Sequence, residues 1–243
     1  MDIIVLLLIT LLIYLLPQNK EYLSVESTSG LRGFLAIGII FHHLSQWVTS
    51  GDEFSNFSYM GTYIVSIFFF LSAYGLYFQN ENKKNYLDNF LVKRLSKILV
   101  PFFSISLIYM FYRFLNGQLM DLDFFANLFK KGSTIIYNGW FVDIIILMYI
   151  FFYISFKFFK NKFISIVINT VFIIGYICLA IKLGYGFWWY NSVFPFIIGL
   201  IWAKNKEKID LVLDRHYFII LVLVTVLLFI SHQYDILLRY IHL

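Results

Sequence analysis

The sequence predicts an all-α, polytopic transmembrane helix bundle of about 8–9 spans. Of its 243 residues, 60% are hydrophobic and only 14% charged, whereas soluble domains run nearer a quarter charged. The apolar residues gather into long stretches, the mark of a membrane protein. Basic residues fall between those stretches, so the net charge of +5 reads as a topology signal rather than a nucleic-acid footprint, and no nucleic-acid partner is expected. The single cysteine, Cys178, lies in an apolar run, which excludes a disulfide framework and a thiolate metal cage. The five histidines do not supply the spacing of a zinc site, and no metal is expected.

In chain order the apolar segments are about 3–16, 31–48, 59–78, 98–115, 140–156, 163–181, 187–203 and 217–231. Most approach the roughly 20 residues that cross about 30 Å of hydrocarbon. The first is short. Asp2 and the lack of early Lys or Arg argue against a cleavable signal peptide, so this segment is read as an extra N-terminal span. A ninth segment begins near Tyr234 and is cut off by the chain end. With no soluble domain appended, residues 1–243 read as a single membrane-embedded domain.

Orientation follows from alternate connections. One set carries Lys20; Lys83, Lys84, Lys93, Arg94 and Lys97; Lys157, Lys160 and Lys162; then Lys204, Lys206, Lys208 and Arg215. The intervening set carries Asp52 and Glu53; Asp121, Asp123, Lys130 and Lys131; then Lys182. The positive-inside rule places the first set in the cytoplasm and the N-terminus outside. The alternation holds through eight spans.

Arg32 and His43 lie eleven residues apart in the second segment. Eleven helical residues make about three turns with roughly 20° left over, so the side chains share one face about 16 Å apart along the axis. On the expected orientation Arg32 enters at the cytoplasmic surface and His43 lies deep, towards the outer half. Arg32 alone fits an interfacial anchor as well as a functional cation. An intramembrane imidazole needs partners, and His43 is therefore the stronger functional candidate. His42 points about 100° away.

Three further constellations follow. Gly61, Ser66, Ser72, Ala73 and Gly75 punctuate an aromatic helix, where small residues permit close helix contact. Packing is the simpler reading there. Lys93 and Lys97 are one turn apart with Arg94 beside them, before Pro101. This cluster suits coenzyme phosphates, anionic lipid head groups, or the ordinary basic edge of a membrane protein. Finally, Tyr137-Asn-Gly-Trp-Phe-Val-Asp143 opens the fifth span. Trp140 fits an interfacial belt. A carboxylate one turn inside the bilayer needs a partner, so Asp143 is a candidate to orient His43 or to bind an acceptor hydroxyl. Tyr149 follows on the same helix, while residues 185–190 read as an outer aromatic belt.

In this order the features resemble the acyltransferase 3 family of integral-membrane acyltransferases. Its Arg, ten intervening residues and His correspond to Arg32 through His43. Its FFxLSG stretch is matched by Phe69-Phe-Leu-Ser-Ala73, with Ala for Gly. Its basic stretch running into proline is matched by Lys93 through Pro101, and its Trp-Phe opening by Trp140, Phe141 and Tyr149. Phe194-Pro-Phe-Ile-Ile-Gly199 is similar to a later Gly-terminated helix. The core of the match is 29–205. The chain is shorter than the usual family member, so the resemblance implies truncated C-terminal helices.

The resemblance implies transfer of an acyl group, commonly acetyl, from cytoplasmic acetyl-CoA or another acyl-CoA to a hydroxyl of an envelope glycan or lipid-linked sugar. The setting implied is the cell membrane, a bacterial cytoplasmic membrane. His43 would be the catalytic imidazole, as general base or as a transient acyl carrier. Arg32 would bind donor or support the site. Lys93, Arg94 and Lys97 would favour the coenzyme phosphates, and Trp140, Tyr149 and His42 would meet the acceptor. Ala73 and Asp143 depart from the family pattern, and a catalytic role for Asp143 rests on its place in the apolar run alone. Two rival classes stand against this: a small-molecule or proton-coupled transporter using Arg32, His43 and Asp143 as a relay, and a shortened inactive relative acting as an assembly subunit.

Overall fold

The computed structural model describes residues 3–17, 19–48, 50–51, 53–118, 135–136 and 138–241. Asp2, Asp52, Asp121, Asp123, Lys130, Lys131 and Tyr137 lie outside the described residues. All regular structure among the described residues is helical: α1 Ile3–Leu15, α2 Val25–Trp47, α3 Met60–Asn82, α4 Phe90–Leu115, α5 Trp140–Phe158, α6 Lys162–Lys182, α7 Phe194–Lys204 and α8 Lys206–Ile241, with short 3₁₀ turns at Ser55–Phe57 and Phe187–Trp189.

Five stretches among the described residues are long and apolar enough to cross a membrane, Ser55–Asn82, Phe90–Leu115, Trp140–Phe158, Lys162–Lys182 and Lys206–Ser231. This is fewer than the 8–9 expected, for physical reasons. At 1.5 Å per residue the 13 residues of α1 reach about 20 Å and the 11 of α7 about 16 Å. The 23 residues of α2 are long enough, but Glu26, Arg32, two histidines and several hydroxyls dilute its apolar character. The expected eighth and ninth segments belong to one helix. α8 runs on past Tyr234 without a break, and its backbone departs from helical geometry instead at His216 (φ −121°, ψ 23°).

The chain divides into two compact units, Thr28–Lys204 and a smaller one made of Met1–Ser27 with Asn205–Leu243. In the smaller unit α1 pairs with α8. Thr10 and Thr225 share a 2.9 Å hydroxyl contact, Tyr14 stacks on Tyr217 at 6.3 Å, and Tyr22 donates to Asp210 at 2.7 Å.

In the larger unit α3 is the central helix, burying Ile64, Val65, Phe69, Ala73, Leu76 and Tyr77. α7 lies against it through Gly199. A Cβ there would meet the Phe70 carbonyl oxygen at 2.4 Å and Ala73 Cβ at 2.9 Å. Small residues let the backbones meet where lipid offers no hydrophobic drive, so Phe69–Ala73 is a packing seam. α5 supplies the aromatic core, with Phe152 4.4 Å from Phe156 and 5.7 Å from Phe90 of α4. α6 starts at a side-chain cap, because Asn161 Oδ1 accepts from the backbone of Phe163 at 2.9 Å and Ile164 at 3.2 Å.

α2 joins this unit along Thr28, Leu35 and Gly38. A Cβ on Gly38 would lie 2.7 Å from Ile64 Cδ1. At about 100° per residue, Arg32 and His43 fall beside this seam rather than in it.

Candidate active site

The larger unit has two chemically different ends. At one, the C-terminus of α3 meets the start of α4 and the α5–α6 turn. Lys157 donates to Asp88 at 3.1 Å, and Lys162 pairs with Glu81. Arg94, in the first turns of α4, donates to Gln79 Oε1 at 3.1 Å and to the Tyr86 hydroxyl at 2.6 Å. Burial pushes the Tyr86 hydroxyl above its ordinary range, against the pull of the neighbouring guanidinium. Arg94 is thus committed to bracing the α3–α4 connection. Lys93 and Lys97, one turn apart on α4, are exposed and join no ion pair among the described residues. Tyr149 belongs to this half, its ring 6.2 Å from that of Phe90.

At the other end the C-terminus of α2 meets the starts of α3 and α5, and the start of α7 is tied to that of α3. His42 lies over Gly61, where an added Cβ would come 2.4 Å from its Nε2. Its Nδ1 is 3.2 Å from the Phe57 carbonyl oxygen. His43 is half-buried, and its Nδ1 is 3.2 Å from Gln46 Oε1 and 3.0 Å from Asn138 Nδ2. Asn138 also approaches Gln46 Oε1, at 3.4 Å. It does so from a left-handed backbone conformation (φ 62°) that asparagine tolerates better than most residues. No hydrogen bond to His43 Nε2 is made among the described residues.

Beside it, Trp140 packs 6.4 Å from Trp189, whose carbonyl accepts from Tyr176 at 2.7 Å. Asn191 donates to Thr62 at 3.3 Å, tying the start of α7 to that of α3.

The structure therefore brings His42, His43 and Trp140 to one end, and Lys93, Arg94, Lys97 and Tyr149 to the other. Arg32 and His43 do share one unbroken helix, but Arg32 is exposed. Asp143 is exposed too. No ion pair or hydrogen bond joins it to His43. Sequence reasoning missed Asn138 and Gln46. Gln46 was legible as the residue three and four positions after the histidine pair, and Asn138-Gly139 as a turn dipeptide. Among the described residues no three His, Cys, Asp or Glu side chains gather to hold a metal ion.

The acyltransferase domain that defines the acyltransferase 3 family matches residues 25–240. The chain belongs to the acyltransferase 3 family. The match takes in α2 from its first residue and reaches almost to the end of α8, so both histidines, the basic segment of α4 and the α5 opening lie within the domain. No curated protein and no solved structure matches the chain. Family membership and the five apolar helices together make it a membrane protein of acyltransferase type.

Proposed function

We propose that the protein transfers an acyl group, acetyl in the first instance, from cytoplasmic acyl-CoA to a hydroxyl of a cell-envelope glycan or lipid-linked sugar, with His43 as general base. The observation that carries this reading is a half-buried imidazole with two amides close to its Nδ1 and no hydrogen bond to its Nε2 among the described residues, inside an acyltransferase 3 domain. Imidazole suits the task because its proton affinity lies near working pH.

In the proposed reaction the acceptor hydroxyl gives its proton to His43 Nε2 as its oxygen attacks the thioester carbonyl carbon. The C–O bond forms, the C–S bond breaks, and the coenzyme thiolate takes the proton back from the imidazolium. No redox partner is needed.

The cationic end faces the cytoplasm in this reading, in a cell membrane of bacterial type. Lys93 and Lys97 suit the coenzyme phosphates, being exposed and in no ion pair among the described residues, while Arg94 braces the platform they stand on. The thioester arm then extends along the stripe from Arg32 towards His43, a span of about 16 Å. Trp140 offers a face to a sugar ring, and Asp143, one turn on, offers an acceptor for its hydroxyls.

Membranes containing the protein, given labelled acetyl-CoA and envelope extract, should place label in a base-labile ester, and His43→Ala should not. Equal incorporation by both proteins would overturn the role of His43. Transport of an unmodified substrate without any need for coenzyme A would overturn the enzymatic reading itself.

A further inference from the structure

We infer that His42 and Gln46 act as positioning residues that set the tautomer of His43 through a hydrogen-bond chain anchored on the Phe57 carbonyl. This rests on the proposed role of His43 as the base, but its geometry stands apart from any assay of turnover.

The chain has a polarity fixed at one end. A backbone carbonyl only accepts, so the 3.2 Å contact between Phe57 O and His42 Nδ1 requires the proton of neutral His42 on Nδ1. His42 Nε2 is then an acceptor. Gln46 Nε2 lies 3.2 Å from it and donates to it. That orients the Gln46 amide and turns its Oε1 the other way, towards His43 Nδ1 at 3.2 Å. Oε1 accepts, so His43 carries its proton on Nδ1 and presents the Nε2 lone pair, the form a general base needs.

The spacing makes this possible. Residues 42, 43 and 46 occupy one helical turn, and a side chain at i+4 and i+3 reaches back over both histidines. Gly61 leaves room for the His42 ring.

Asn138 Nδ2, 3.0 Å from His43 Nδ1 and 3.4 Å from Gln46 Oε1, has hydrogens for either. Left alone, donation to Nδ1 would select the opposite tautomer and fill Nε2 with a proton. The anchored chain decides between them: Asn138 donates to Gln46 Oε1, and with Nδ1 protonated the 3.0 Å approach of Asn138 Nδ2 to it is a donor–donor contact rather than a hydrogen bond. No carboxylate among the described residues enters the chain.

The test is nitrogen NMR of the full-length protein with ¹⁵N-labelled histidine, where the two ring nitrogens of each neutral tautomer resonate apart. The signal lost in His43→Gln identifies His43. It should show protonated Nδ1 and bare Nε2 at a pH where the ring is neutral. Gln46→Leu should turn that signal into a mixture of tautomers. It should also lower kcat about tenfold, the worth of one hydrogen bond, with little change in KM.

Protonated Nε2 in the unaltered protein would overturn the inference, as would an unchanged His43 spectrum in folded Gln46→Leu. If Gln46→Leu does not fold, the spectrum of the unaltered protein decides alone. A protein with the stated tautomer and no acyl transfer would instead overturn the proposed function and leave the chain standing.

Discussion

The two ends of the larger unit are held together by different chemistry. The cationic end is closed by full charges on exposed side chains, Lys157 with Asp88 and Lys162 with Glu81, and by the Arg94 guanidinium on Gln79 and Tyr86. The histidine end is closed by uncharged groups, two carboxamides and a backbone carbonyl, gathered around two imidazoles. Charges at the first end sit where water reaches them, so each pair contributes little and the surface can adapt to a charged ligand. Neutral donors and acceptors at the second can be half-buried at modest desolvation penalty, and each constrains the next. One end suits reversible capture of an anion, the other the fixing of one ring in one protonation state.

The sharpest way to break this contrast is to remove the ring itself. His43→Ala should lower transfer by about 10²–10⁴-fold, the usual contribution of a positioned base. Thermal unfolding in detergent should move little, because His43 is only half-buried. A large loss of stability with it would mean that the histidine end is structural first.

Arg94 and its neighbours sharpen the comparison from the other side. Arg94→Ala leaves the Gln79 and Tyr86 oxygens without their shared donor, a change of about 1–3 kcal/mol in stability. Lys93→Ala with Lys97→Ala should leave the melting temperature unchanged and raise the KM for acyl-CoA. The rise should be several-fold per lysine, as expected for about 1 kcal/mol from each cation at a membrane surface. Kinetics at two salt concentrations check it, since the difference between the proteins should shrink as salt rises. A Tm loss from the lysine pair and a pure KM effect from Arg94 would reverse the roles assigned here.

Gly61→Ala probes the histidine end more gently. The added methyl group meets the His42 ring, which must swing away from the Phe57 carbonyl. Turnover should fall about tenfold, one hydrogen bond's worth, while the helices stay assembled. Unchanged turnover together with an unmoved His42 resonance would show that the ring finds another seat at no penalty.

What the sequence disclosed follows the same division. The all-helical fold was legible because an apolar run in a membrane has to satisfy its backbone internally, and the basic clusters mark one end because charges avoid lipid. Span count was less legible. Hydropathy alone cannot see that residues 194–204 form an 11-residue helix, or that α8 continues through Tyr234. Eleven-residue spacing put Arg32 and His43 on one helical stripe, yet Arg32 ends exposed beside the α2–α3 seam, and the seam itself is set by Gly38 against Ile64. The partner expected for His43 was the carboxylate of Asp143, because a charge is conspicuous in an apolar run. The structure supplies Gln46 and Asn138 instead. An amide attracts no notice in a sequence, and Asn138 reaches His43 only through tertiary packing that joins residues 95 positions apart.

The smallest expected effect tests the charged end where it looks strongest. Lys157 and Asp88 are 3.1 Å apart, but their side chains are 41% and 58% exposed. Water screens such a pair, and ordering two side chains opposes the Coulomb gain, so the coupling should be no more than about 1 kcal/mol. A double-mutant cycle with Lys157→Ala and Asp88→Ala, read by thermal unfolding, measures it directly. A coupling of about 3 kcal/mol would mean that the pair is shielded from water, by lipid head groups or by a second protein. The cationic end would then be a rigid closure like its opposite, and the proposal that it adapts to a phosphate ligand would lose its physical basis.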